Sequence, residues 1–313
     1  MRIIRYTPDG ERDPRVGVED AGGIWDIGVP TVGDLLRLPL SRIRGLAEEA
    51  RRRPAVARAA ILLPPIDGRT EVWAAGVTYR RSRQARMEES VTADVYERVY
   101  NSQRPELFFK CAAWRVVTDG EPIGIREDSE LNVPEPELGL VANQHAEIVG
   151  YVVSNDVSSR TIEGENPLYL PQAKIYAGSS ALSDGIRPSW EVPAPTGLDV
   201  TLTVTRGTTT RWHGRASTAQ LHRPLAELME YLFRGDHFPE GVVLSTGTGI
   251  VPELDFTLHP GDVVTVTVQD VGVLTNTVAV GKGSFGWLAN ASGHGVVQRA
   301  RSAAAPSPSS SSQ

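Results

Sequence analysis

A single cysteine, Cys111, stands in 313 residues, so no disulfide can form within the chain. No apolar run approaches the ~18 residues that span a bilayer, and the opening Met-Arg-Ile-Ile-Arg-Tyr has neither an apolar signal core nor a twin-arginine pair. The expectation is a cytoplasmic chain. Basic clusters interleaved with aromatics are also missing, and the formal charge is −6 with a pI near 5.6. Such a balance points away from nucleic acid and from anionic membranes, leaving a small soluble ligand as the expected partner. Lysine is scarce: 29 of the 32 basic residues are arginine, and only Lys110, Lys174 and Lys282 are lysine. That skew fits a GC-rich coding sequence, in which a retained lysine marks a place where an amine able to lose a proton is needed, or a chance survival.

What is present is enough apolar sequence, 40% of the chain, for one large core or a core with a small satellite. Residues 1–68 read as a small α/β unit: strand-like runs at Arg2–Tyr6, Arg15–Glu19 and Gly23–Ile27, then a helical composition from Ser41 to Ala60 that Leu63-Pro64-Pro65 ends. Residues 69–290 read as a mainly β body, a rolled sheet or distorted barrel, from short β runs at Val72–Ala75, Glu147–Ser154, Leu198–Thr205, Gly241–Ser245 and Val263–Val268. Its helical candidates are Tyr79–Asn101 and Leu225–Phe233. The fold class is therefore α+β, and residues 291–313 form a low-complexity tail expected to be disordered.

Chemistry concentrates in Val133-Pro-Glu-Pro-Glu-Leu138. In an extended segment residues two apart face the same way, so Glu135 and Glu137 can converge on one point. Asp156, at the end of the apolar run Gly150-Tyr-Val-Val-Ser-Asn-Asp, could reach the same cavity or could cap a helix. Three carboxylates with no His or Cys at ligand spacing suit Mg²⁺, Mn²⁺ or Ca²⁺ rather than zinc. Pro134 and Pro136 remove two backbone donors, so this strand is expected at a sheet edge or lining a cavity; a solvated edge with alternating glutamates is the plain alternative.

Together with Ala75-Gly-Val-Thr-Tyr79, Pro105-Glu-Leu-Phe-Phe-Lys110, Ser158-Ser-Arg160, Gln172-Ala-Lys174, Ser245-Thr-Gly-Thr-Gly-Ile250, Pro260-Gly-Asp262 and Gly272-Val-Leu-Thr-Asn276, these motifs resemble the fumarylacetoacetate hydrolase superfamily over about residues 70 to 286. The resemblance implies a Mg²⁺-dependent (or Mn²⁺-dependent) enzyme for a 2-keto acid, with Glu135, Glu137 and Asp156 as metal ligands, Lys174 beside them, and a homodimer or homotetramer. Hydrolases of this superfamily look like Asn-Tyr-x-x-His at the entrance helix. Here Thr78-Tyr-Arg-Arg-Ser82 puts serine in the histidine's place, and none of the six histidines falls in a matched motif. Arg104-Pro-Glu106, Glu163-Gly-Glu-Asn-Pro-Leu-Tyr-Leu-Pro-Gln172 and Lys174-Ile-Tyr-Ala-Gly178 look instead like the 2-keto-3-deoxy-D-arabinonate dehydratase branch.

That branch implies loss of a C3 proton and then of the C4 hydroxyl from a metal-chelated 2-keto-3-deoxy sugar acid, with tautomerisation to 2,5-dioxopentanoate. Lys174 is the expected base at C3 and Glu106 the acid at C4, although the two roles can be exchanged; a lysine beside a divalent cation should have a lowered pKa. Gly247 and Thr248 could present N–H groups to the substrate carboxylate, Arg83 and Arg86 could clamp the carboxylate or hydroxyls, and Tyr79 of the entrance motif is expected to bind substrate as well. Lys110 is expected to support Glu106 or the fold. Two other readings remain at this point, a hydrolase or decarboxylase of acylpyruvate-type acids and a non-catalytic keto-acid-binding homologue. Deleting Ser302–Gln313 should change neither the thermal midpoint nor activity, because that composition buries too little apolar surface to offset its ordering entropy; a scanning melt and a rate assay of the truncated chain check this.

Overall fold

The computed structural model describes residues 1–9, 11, 13–89 and 93–290; the tail 291–313 lies outside the described residues. Among the described residues the β-branched runs pair into two main sheets. The larger has eleven strands, running from Gly23–Asp26 through Arg15–Asp20, Arg2–Thr7, Gly185–Pro188, Ile148–Asp156, Pro136–Ala142, Val242–Ser245 and Glu71–Gly76 to Glu106–Ala112, with Ser180–Leu182 and Ile61–Leu63 pairing off the path. The smaller has five: Thr209–Ser217, Asp199–Arg206, Val263–Val268, Gly272–Val280 and Ile123–Ile125.

Period-two alternation sorts the central strands between two cores. Leu138, Leu140, Tyr151, Val153 and Leu244 pack toward Val200, Leu202, Val204, Val264, Val266 and Leu274 of the smaller sheet. Their sequence neighbours Val141, Val152 and Val243 face the other way, toward Leu35, Leu36, Ile43 and Ala47 of the N-terminal helices. The central sheet is thus covered on one side by a sheet and on the other by helices.

The strands of residues 1–68 do not form a sheet of their own. Arg2–Thr7 pairs with Gly185–Pro188, which joins them to the central sheet. The expected helix from Ser41 to Ala60 is shorter, Leu40–Arg51, because Pro54 can neither donate to a helix nor let its predecessor stay helical; Ile61–Leu63 turns into a strand instead. The expected helix Tyr79–Asn101 is two, Arg80–Glu89 and Ala93–Asn101, whereas Leu225–Phe233 forms as expected.

The strand carrying Glu137 is central, not an edge. Pro136–Ala142 pairs with Ile148–Asp156 on one side and Val242–Ser245 on the other. Proline is accommodated because it stands first in the strand, while the second partner reaches only Gly139–Ala142. The strand's start is therefore open on one side, and that opening is where the carboxylates lie. Leu140 is fully buried in the core between the two sheets. Leu140→Ala should cost about 2–5 kcal/mol by creating a cavity, read as a lower denaturant midpoint at unchanged m-value.

Candidate active site and metal centre

Antiparallel register brings the acidic residues together. Glu137 lies opposite Ser154 and Pro136 opposite Asn155, so Asp156 comes level with Glu135, on the same face as Glu137. Two further hydrogen bonds fix the level: the Asp156 N–H donates to the Glu135 carbonyl at 2.9 Å, and the Glu135 N–H to Asn155 Oδ1 at 3.0 Å. Glu135, Glu137 and Asp156 each offer a carboxylate oxygen within 4.8 Å of the others, and all three are buried. Asp156 ends its strand and caps no helix; the next helix, Arg160–Glu165, follows Ser159.

Lysine supplies the first counter-charge. Lys174 closes the short helix Leu170–Lys174, and its Nζ donates to Glu135 Oε2 at 2.8 Å, Asp156 Oδ2 at 3.0 Å and Ser158 Oγ at 2.6 Å. Lys110, 1% exposed, forms an ion pair with the other Asp156 oxygen and donates to the carbonyls of Val157 and Lys174. Its place comes from a bulge: Val72 pairs with Cys111 and Trp73 with Phe109, leaving Lys110 as the extra residue. Lys110 therefore holds a triad member rather than Glu106. Burial pushes its ammonium below the usual lysine range.

Glu137 shows what the cluster needs. Burial, then Asp156 and Glu135, raise its carboxyl well above the usual range, although Lys174 and the Gly247 N–H, which donates to Oε2 at 2.7 Å, pull the other way. The cavity is lined by the triad, Lys174, Glu106, Arg160, Glu163, Ser82, Phe108, Leu170, Thr248 and Val251, among others. Among the described residues the lining brings together five carboxylates and the cations of Lys174 and Arg160, with Lys110 on Asp156, a surplus of negative charge that a divalent cation would offset. The all-oxygen donor set fits Mg²⁺ or Mn²⁺, which Glu135, Glu137 and Asp156 would hold.

The other expected contacts divide. Thr248 lines the cavity, its Oγ1 donating to the Ile250 carbonyl at 3.1 Å. Gly247 also lines it, but its N–H is engaged by Glu137 rather than aimed at a substrate carboxylate; its φ of +90° and the approach of Thr78 Oγ1 leave room for glycine alone. Gly76 likewise leaves the space that Glu106 fills, since a Cβ there would meet the Glu106 carboxylate. Tyr79 does not line the cavity: its ring lies under Gly249, and burial then Glu137 raise its hydroxyl pKa. Arg83 turns to the neighbouring helix, 3.9 Å from Glu97 and over the Tyr100 ring, and is not in the cavity wall. Arg86 is on helix Arg80–Glu89, with its side chain outside the described residues. Ser82 lines the cavity while tying off the helix start, donating to the Tyr79 carbonyl at 2.8 Å. Val77, a β-branched residue at φ 53°, completes this wall under backbone strain.

Several residues of the wall were given no role from the sequence, among them Phe108, Arg160, Glu163, Leu170 and Val251. Arg160 is 3.8 Å from Glu135 Oε1 and donates to the Pro252 carbonyl at 3.2 Å. Arg160 and Glu163 stand three apart on one helix, a spacing that places both on one face.

Buried carboxylates converging on one point, a lysine among them and an enclosed cavity define a divalent-cation-dependent enzyme. A family model described as "Fumarylacetoacetate (FAA) hydrolase C-terminal" matches residues 71–279, and the chain belongs to the fumarylacetoacetate hydrolase family. It is 47% identical over 214 residues to a probable 2-keto-3-deoxyxylonate dehydratase of Haloferax volcanii, covering 68% of this chain and 73% of that protein. It is 42% identical over 218 residues to a 2-dehydro-3-deoxy-D-arabinonate dehydratase of Saccharolobus solfataricus, with the same coverage. A solved 2-keto-3-deoxy-D-arabinonate dehydratase complexed with magnesium and 2,5-dioxopentanoate superposes with a TM-score of 0.75 at 33% identity, covering 90% of this chain and 99% of that one.

Glu135→Gln and Asp156→Asn should each abolish turnover and keep the fold. Mg²⁺ at about a hundred times its Kd should stabilise the unaltered chain by about 2.7 kcal/mol and the variants less, read as melting temperatures with and without chelator. Full activity in either variant, or in metal-stripped protein, would show the ligands to be misassigned.

Proposed function

We propose that this protein dehydrates a 2-keto-3-deoxy sugar acid of the arabinonate type to 2,5-dioxopentanoate, with Mg²⁺ or Mn²⁺ held by Glu135, Glu137 and Asp156. The observation that carries the reading is the cavity wall: among the described residues it holds Lys174 and Glu106 beside the triad, and no histidine. Of the six histidines, His145, His213, His222, His237 and His259 are among the described residues, and none of these lines it. The likeness to two dehydratases supports the same reading. A water-activating histidine, which the hydrolase reading requires, has no counterpart there among the described residues, and Ser82 is occupied in starting its helix.

When bound, the cation would take the substrate's carboxylate and 2-keto oxygens and make the C3 protons more acidic. Lys174 Nζ, as a neutral amine, accepts the first C3 proton, and Glu106 gives a proton to the departing C4 hydroxyl, so water leaves and a C3–C4 double bond forms. Lys174 then returns its proton to C3 while Glu106 takes one from C5. The double bond moves to C4–C5, giving the enol of 2,5-dioxopentanoate, and both side chains regain their starting state. Phe108, with Lys174 Nζ 5.7 Å from its ring centroid, and the apolar Leu170 and Val251 keep bulk water from the intermediate.

We read residues 1–68 as a small N-terminal unit on a rolled-sheet catalytic body, and the working form as a cytoplasmic homodimer or homotetramer. Incubation with Mg²⁺ and a panel of 2-keto-3-deoxy acids and acylpyruvates tests the activity: an aldehyde product supports the proposal, and cleavage of an acylpyruvate overturns it. Lys174→Arg keeps charge without a usable proton, and Lys174→Met keeps length without either. Both should lower kcat by roughly 10²-fold or more, the usual worth of a positioned acid–base group. If arginine keeps most of the activity and methionine does not, Lys174 acts only as a counter-charge.

A further inference from the structure

Lysine carries its amine on a flexible four-carbon stem, and an acid–base group works only where its reacting atom is held. Lys174 is tied at both ends. At the root its carbonyl, at the end of the helix Leu170–Lys174, accepts from Lys110 Nζ and from Ser179 Oγ at 2.8 Å. At the tip Nζ donates to Glu135 and Asp156, and to Ser158 Oγ at 2.6 Å. The two carboxylates belong to the triad that would hold the cation, and the hydroxyl does not. Ser158 is fully buried, is not among the wall residues, and has a single hydroxyl proton. That proton is committed, because Oγ donates to the Asp156 carbonyl at 2.9 Å. Toward Lys174 the hydroxyl can therefore only accept. It fixes an N–H of the side chain without offering a hydrogen to the electron pair with which Nζ would take a proton. The backbone of Ser158 is held in turn, paired with Val133 two residues before Glu135, so one short ladder sets the place of both a ligand and the amine.

We propose that Ser158 is the positioning residue for Lys174: its hydroxyl, made a pure acceptor by the Asp156 carbonyl, holds Nζ at the place from which it meets C3 of the substrate. The assignment rests on the dehydratase reading for the role of Lys174 as base, and on the hydrogen bonds alone for the holding. Loss of the hydroxyl frees the tip of Lys174 while Asp156 keeps its other supports, the ion pair with Lys110 and the bond from its own N–H to the Glu135 carbonyl. Turnover then suffers, and the binding of cation and substrate does not.

The scarcity of lysine makes the test direct. Only Lys110, Lys174 and Lys282 are present, so the full-length, Mg²⁺-loaded protein labelled with ¹³C at lysine Cε gives one methylene signal for each, with that of Lys174 assigned by its loss in Lys174→Met. Buried Lys110 is the internal standard for a held side chain and exposed Lys282 for a solvated one. In the unaltered chain the Lys174 methylene should be as ordered as that of Lys110. Ser158→Ala should lower its order parameter toward that of Lys282 and leave Lys110 unchanged. The same variant should lower kcat at least about 10-fold while KM and the Mg²⁺ dissociation constant stay within about 3-fold. Ser158→Thr, which keeps the hydroxyl, should restore both order and rate. Unchanged order at Lys174 in Ser158→Ala overturns the proposal, as does a loss of Mg²⁺ affinity as large as the loss of kcat, since Ser158 would then act through Asp156. If Ser158→Ala does not fold, Ser158→Cys, whose thiol is the poorer acceptor, is read by the same measurements and decides. The order parameters need no turnover: a Lys174 loosened by Ser158→Ala in a protein that dehydrates no sugar acid would refute the reaction and leave the positioning standing, and a Lys174 unmoved in an active dehydratase would refute the positioning alone.

Discussion

Three carboxylates buried within a few ångströms of one another are the constraint to which the rest of the molecule answers. Each desolvated charge costs several kcal/mol even after the protein relaxes, and like charges at this separation add to it. Glu137 shows the burden directly, its carboxyl displaced upward by burial and by its two neighbours. The surrounding residues are the compensation. Lys174 bridges two of the three, Lys110 takes the outer oxygen of Asp156, Arg160 stands beside Glu135, and the Gly247 N–H is spent on Glu137. Remove the demand for a buried anionic pocket and there is no reason for a bulge at Lys110, for glycine at 247, or for two lysines under one aspartate.

The site lies where it does because the sheet runs out of cover there. Val141, Val152 and Val243 are roofed by the N-terminal helices, and Glu135, Glu137 and Asp156 continue the same face past that roof. The end of the strands then receives Glu106 from the edge strand and the loop after Ser245, whose Thr246 N–H still donates to Leu138. A polar cavity is thereby set against a packed core with no change of scaffold.

The wealth of strands and the meeting of three carboxylates were legible because both depend on short-range pattern. Alternation in Asp199–Arg206 and Val263–Val268 announces strands, and two glutamates at spacing two announce a shared face. What escaped depends on pairing. Pro136 suggested an edge or a cavity-lining strand; the strand lines the cavity but is central, and no local pattern tells the first residue of a central strand from an edge strand. Lys110 was read as supporting Glu106 or the fold, and that it would meet Asp156 could not be seen, because a bulge opposite Val72 leaves no mark in the sequence. Arg83 was plausible as a clamp only until Glu97 and Tyr100 were seen beside it on the next helix. Gly247 was read as a substrate donor because a glycine-rich turn exposes N–H groups; which acceptor takes them is a tertiary matter.

The parallel pairing of Glu71–Gly76 with Val242–Ser245 carries a cost in time as well as in space. Its flanks are tied by Thr70 Oγ1 and Arg69 to Glu240, 170 and 171 residues away, and the Met1 amino group meets Glu191 across 190. Contacts so distant along the chain are slow to form, because the intervening loop must be closed before they repay it. Glu137 reaches its Gly247 donor only when that strand has docked. On the ribosome, then, the chain can emerge with all its acidic wall residues already made and still lack the Gly247 donor that Glu137 takes, so that the site is completed only when the later strand joins the sheet.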